Sequence, residues 1–133
     1  TIIRPHLTRR ELLFTLWVFV MFLYAYCDIL GLFDPIVLNK LLTGSIDGIV
    51  MSEMFLLAAA VLMILPISMV LLTRILARPA ARVGNIAVGG IKTVVMIATL
   101  VTPSTLYYWL FAMIEIPTTM AIVYLAWTWR AEV

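Results

Sequence analysis

The chain has 133 residues, 65% of them hydrophobic and 12% charged, with a formal net charge of +2. Soluble domains are roughly half apolar and about a quarter charged, and small ones leave much of their surface in water, so this composition excludes an ordinary soluble fold. The small net charge and the absence of aromatics interleaved with basic residues exclude a nucleic-acid binder; one cysteine (Cys27) and one histidine (His6) exclude an internal disulfide, a Cys/His metal centre and paired-thiol redox chemistry.

In chain order, Arg4, Arg9 and Arg10 precede a first apolar run, Leu12 to Phe33, broken only by Asp28. Its length and the lack of a small-residue cleavage site predict a membrane helix over about 11–33, not a cleaved leader. Asp34-Pro35 then opens the longest connection. Within it, Ile36 to Leu42 is amphipathic and predicts one or two helical turns on the membrane surface, followed by the turn residues Gly44, Ser45, Asp47 and Gly48. Glu53 introduces a second run, Met54 to Thr73, twenty residues without a charge, which predicts a helix over about 50–74. Arg74, Arg78 and Arg82 follow, with Pro79 marking the end of that helix or the start of a new turn. The third run, Val83 to Pro103, carries Lys92 and predicts a helix over about 82–103. After Thr102-Pro103-Ser104, where Ser104 or Thr105 suits an N-cap, the fourth run reaches Trp129, carries Glu115 and predicts a helix over about 105–130.

Each run covers the ~20 residues that a helix needs to cross ~30 Å of hydrocarbon. Backbone in lipid must satisfy its own hydrogen bonds, and four segments are too few for a membrane barrel. The expected fold is all-α: one transmembrane four-helix bundle spanning 1–133. Seven arginines lie on the side holding both ends of the chain and Lys40 alone lies opposite, which places both ends in the cytoplasm. Trp17, Trp109, Trp127 and Trp129 sit towards helix ends and read as interfacial anchors. Pro66 and Pro117 fall in matching contexts, Leu65-Pro66-Ile67-Ser68-Met69 and Ile116-Pro117-Thr118-Thr119-Met120. Both are expected to kink their helices, with Ser68, Thr118 and Thr119 available to the freed carbonyls.

A charge at the bilayer centre costs roughly 2.5–3.5 kcal/mol on insertion scales. Lys92 and Glu115 each lie about ten residues, ~15 Å, inside their helices, near mid-membrane; Asp28 and Glu53 lie nearer the opposite side from the arginines. Helical spacing places Trp17, Met21, Tyr24, Asp28 and Gly31 on one stripe, Asn85, Gly89, Lys92, Met96 and Thr99 on a second, and Tyr108, Phe111, Glu115, Thr118 and Thr119 on a third. Stripes this polar belong inside the bundle, and Gly89 and Gly90 allow close helix approach. The simplest arrangement sets Lys92 level with Glu115. One reading is a buried ion pair that only fixes helix register. The other is a polar cavity open to the outside, lined by Asp28, Glu53, Lys92 and Glu115, with Tyr24, Tyr26, Tyr107 and Tyr108 near its mouth. No catalytic constellation, phosphate loop or HExxH-type motif is present, and no cofactor is implied.

The segments from Tyr26-Cys27-Asp28 to Asp34-Pro35, Phe55 to Ala60, Ile91-Lys92-Thr93 and Ile114-Glu115-Ile116-Pro117-Thr118-Thr119 resemble a family of small four-helix bacterial inner-membrane proteins known only as a domain of unknown function. The likeness runs from about Leu13 to Trp129 and includes Asp28, Lys92 and Glu115. It departs at Ile36 and Leu65, where relatives often have glycine and an acid. It implies a fold and a bacterial inner membrane, and no activity. Three functions stay open: a membrane module binding a small polar or amphiphilic ligand or a lipid; an accessory subunit of a larger membrane complex; and a proton-coupled transporter working as a homodimer with Glu115 as its membrane carboxylate.

Overall fold

The computed structural model describes residues 7–46, 48–101 and 105–130; Arg4, His6, Asp47 and the turn at Thr102-Pro103-Ser104 lie outside them. The described chain contains five helices and one short hairpin: α1 (Arg9–Phe33), α2 (Pro35–Leu42), β1 (Ser45–Ile46), β2 (Ile49–Val50), α3 (Glu53–Ile75), α4 (Arg78–Thr99) and α5 (Leu106–Trp127). Four of the helices, α1, α3, α4 and α5, are long and apolar enough to cross a membrane.

Side-chain caps set several helix starts. Thr8 accepts from the Glu11 N–H at 3.1 Å, Asp34 from Ile36 at 3.0 Å and Ser52 from Phe55 at 3.1 Å, each satisfying a backbone donor that the helix itself leaves free. Asp34 also ties α2 to α5, because the Tyr107 hydroxyl donates to its other oxygen at 3.1 Å. α4 has no side-chain cap and starts four residues earlier than its apolar run suggests; Pro79 sits in its first turn, where a missing N–H costs nothing. The connection expected to hold only turn residues after α2 contains a hairpin. Ser45 pairs with Val50 and Ile46 with Ile49, and Gly44 and Gly48 take φ of 85° and 84°, a region open to glycine at little cost.

Pro66 and Pro117 both lie inside uninterrupted helices. The carbonyl that Pro117 leaves without its usual N–H partner belongs to Met113, yet Thr118 donates to Ile114 at 2.7 Å and Thr119 to Ile116 at 3.0 Å. The hydroxyls therefore reinforce neighbouring carbonyls and do not replace the lost bond.

α1 packs against α3 and α5, and α4 packs against the same two. The four long helices form a closed ring with α1 facing α4 across the axis. The core runs along that axis through Leu13, Trp17, Val20 and Tyr24 of α1, Met69 of α3, Ala81, Val88 and Met96 of α4 and Ala112, Ile122 and Ala126 of α5. The α4–α5 seam depends on Gly89. A Cβ there would lie 2.9 Å from Val123 Cγ2 and 3.4 Å from Ile122 Cγ2, whereas one on Gly90 would meet nothing within 4 Å. Of the two glycines expected to admit a neighbour, only Gly89 does so. Gly89→Ala is expected to destabilise the bundle by about 1–3 kcal/mol through overpacking, while Gly90→Ala leaves stability unchanged or raised; thermal unfolding of both variants in detergent checks this.

The bundle is tightest at the end bearing the arginines. There α3 and α5 finish with carbonyls that lack intrahelical partners, at the negative ends of their dipoles. Arg10 donates to Thr73 and Leu76 carbonyls, each at 2.6 Å. Arg9 donates to Leu125 at 2.7 Å, Arg78 to Trp129 at 2.9 Å, and Arg82 to Ala126 and Trp127 at 3.0 and 2.9 Å. The same cations that mark one side of the membrane also close helix C-termini. Towards the opposite end, which carries α2 and the hairpin, α3 leaves the core: its buried residues are Pro66, Met69 and Thr73, and Met54, Leu56, Val61 and Ile64 are all more than half exposed.

Candidate functional site: polar levels on the bundle axis

Two polar levels lie where α1 faces α4. At the first, Trp17 Nε1 donates to Asn85 Oδ1 at 2.6 Å, and Asn85 Nδ2 donates to Thr73 Oγ1 at 3.1 Å and to the Ala81 carbonyl at 2.7 Å. Trp17, Asn85 and Thr73 are fully buried, so this clasp joins α1, α3 and α4 with no water required. Trp17 is thus a core residue and not the interfacial anchor expected of it. The signal was in its stripe, which it shares with Tyr24 and Asp28. Trp109 and Trp127 remain substantially exposed, while Trp129 is buried with the Arg10 guanidinium 5.1 Å from its ring centre.

The second level lies seven residues further along both helices. Lys92 Nζ sits 4.3 Å from the centre of the Tyr24 ring, where the π face attracts a cation. Lys92 is 8% exposed and Tyr24 6%. The Tyr24 hydroxyl is buried with no hydrogen-bond partner among the described residues. Thr93 and Thr119, with hydroxyls 2.8 Å apart, fix the height of α5 against α4. Glu115 therefore stands four residues, ~6 Å, beyond that level towards the hairpin end, and is 2% exposed.

This offset changes the expected pairing. Lys92 and Glu115 are both buried on adjacent helices, but they form no ion pair within 4.0 Å. The ammonium rests on the Tyr24 ring and remains within Coulombic range of both Glu115 and Asp28. Among the described residues the Glu115 carboxylate accepts no hydrogen bond. Asp28, one turn beyond Tyr24, is exposed on the chain surface. Tyr108 is half-buried and within Coulombic range of Glu115 and Asp28, and its hydroxyl donates to Thr99 at 2.6 Å. Thr118 and Thr119 are buried; both hydroxyls donate to carbonyls of their own helix, and that of Thr119 also accepts from Thr93 of α4.

Glu53 is not brought to this cluster. It is exposed in the first turn of α3, beside the positive end of the helix dipole where a carboxylate is favoured, and the divergence of α3 holds it away. A groove of about 540 Å³ runs between α1 and α3, and none of Asp28, Glu53, Lys92 or Glu115 lines it.

A ring of four apolar helices, with an ammonium and a carboxylate buried partway along, defines a small multi-pass membrane protein. The chain belongs to DUF6326, a family of unknown function whose model matches residues 1–133. No curated protein and no solved structure matches it.

Proposed function

We propose that the chain is a binding module within the membrane, holding a small polar or amphiphilic ligand, or a lipid headgroup, against Lys92, Glu115 and Tyr24. One observation carries this reading. Three strongly polar groups are buried together, yet the ammonium and carboxylate are not paired and the phenol has no partner. Buried polar groups are normally satisfied, and a buried hydroxyl left alone, as that of Tyr24 is, costs about 1–3 kcal/mol. Three ammonium donors, the carboxylate lone pairs and one phenol O–H suit a ligand that both donates and accepts.

Access runs from the hairpin end, past Asp28. The arginine bias supports a cytoplasmic location for the opposite end of the bundle, where α1 begins and α5 finishes, and a bacterial inner membrane follows the family likeness. Native mass spectrometry of gently extracted protein tests the reading. The expected result is a small molecule retained by the wild type and lost from Lys92→Met at unchanged fold. A wild type that carries nothing in every extraction, with both variant and parent equally stable, would sink it.

A second reading rests on α3. From Met54 to Ile64 this helix has almost no partner within the chain, as suits an accessory subunit whose missing neighbour is another membrane protein. That reading predicts a stoichiometric partner in the same spectra.

A further inference from the structure

The groove between α1 and α3 lies on a different face of α1 from the Lys92 level, and its lining follows helical spacing on both walls. Phe14, Val18, Met21, Phe22 and Ala25 form the α1 side; Ile67, Val70, Leu71 and Arg74 form the α3 side. Every lining side chain but one is apolar. The exception, Arg74, sits at the end nearest the other arginines, its guanidinium 5.1 Å from the Phe14 ring centre.

We propose that this groove holds one acyl chain of an anionic phospholipid, with the lipid phosphate on Arg74. Depth is the first argument. Phe14 to Ala25 spans about 16 Å at ~1.5 Å per residue, half of the ~30 Å hydrocarbon thickness. The groove is one leaflet deep, the reach of a single acyl chain whose headgroup stays at the arginine end. Charge is the second. Arg9, Arg10, Arg78 and Arg82 all donate to helix C-terminal carbonyls, whereas Arg74 donates no hydrogen bond among the described residues. Its fork of N–H groups matches phosphate oxygens, and it is held over an aromatic ring directly beside the groove. Those four arginines satisfy the protein; Arg74 lines the groove.

The test uses the full chain in nanodiscs of phosphatidylcholine containing a minor fraction of phosphatidylglycerol, released into a native mass spectrometer. Wild type is expected to retain one phosphatidylglycerol in preference to phosphatidylcholine. Arg74→Gln is expected to lower that preference about five-fold, the weight of one basic residue at a membrane surface. Val70→Trp, which fills the groove, is expected to abolish retention of either lipid, and Arg130→Gln, outside the groove, to change nothing. Equal retention of the two lipids by wild type would overturn the proposal. So would an Arg130→Gln loss as large as that of Arg74→Gln, since the surface charge as a whole would then be responsible. Undiminished retention by Val70→Trp would show that the chain binds lipid elsewhere.

Discussion

Replacing Asn85 with leucine is expected to destabilise the bundle by about 2 kcal/mol, measured by unfolding in mixed detergent micelles. The substitution keeps volume roughly constant and removes the hub of the clasp. Trp17 Nε1–H then has no acceptor at a site with no solvent access, and Thr73 Oγ1 loses the Asn85 amide that donates to it. A buried donor left alone costs about 1–3 kcal/mol. Measured side-chain hydrogen bonds between membrane helices average only ~0.6 kcal/mol, with a maximum near 1.7, which keeps the total at the lower end. Trp17→Phe removes the donor with its partner still able to bond Thr73 and Ala81, and should cost less. In the double variant the two losses should fail to add by about 1 kcal/mol, the coupling of residues in contact. Strict additivity would show that the indole and the amide do not act as a unit.

The membrane spans were legible because about twenty apolar residues in succession have few other uses, and α2 was legible from its amphipathic spacing. The start of α4 was not, because Arg78-Pro79 looks like a break until proline is allowed in a first turn. The hairpin has a strong two-residue turn signal in Asp47-Gly48 between Ile46 and Ile49, but strands of two residues are too short to show an alternating pattern among membrane helices. At the site, Asp28, Lys92 and Glu115 announced themselves as charges in apolar runs, and Tyr24 followed from the α1 stripe. What the residues could not give was relative height. Depth counted from helix ends inherits every error in those ends, and only the Thr93–Thr119 contact shows that Glu115 stands a turn beyond the Lys92 level. The place of Glu53 depended on the path of α3, which no local pattern encodes.

Glu115→Gln separates the functions that the geometry leaves in competition. The substitution keeps the shape of the side chain and removes its charge, so the fold should survive: the carboxylate makes no ion pair within 4.0 Å to be broken, and the loss of a buried charge relieves desolvation. If the site binds a ligand through Glu115, a charged hydrogen bond worth about 1.5–3 kcal/mol is weakened, and retention should fall by roughly ten- to a hundred-fold, at 1.4 kcal/mol per factor of ten. Lys92→Met should lose the same ligand, and Asp28→Asn, at an exposed position, should lose less. A proton-coupled transporter gives a different result: in proteoliposomes Glu115→Gln abolishes proton-linked substrate movement, because the group that takes up and releases the proton is gone, while substrate binding persists. An accessory subunit gives a third: both variants keep their stoichiometric partner and no small molecule is involved. Retention identical to wild type in both Glu115→Gln and Lys92→Met would mean that neither group meets a ligand, and their burial would then have to be understood as part of how the helices fit together.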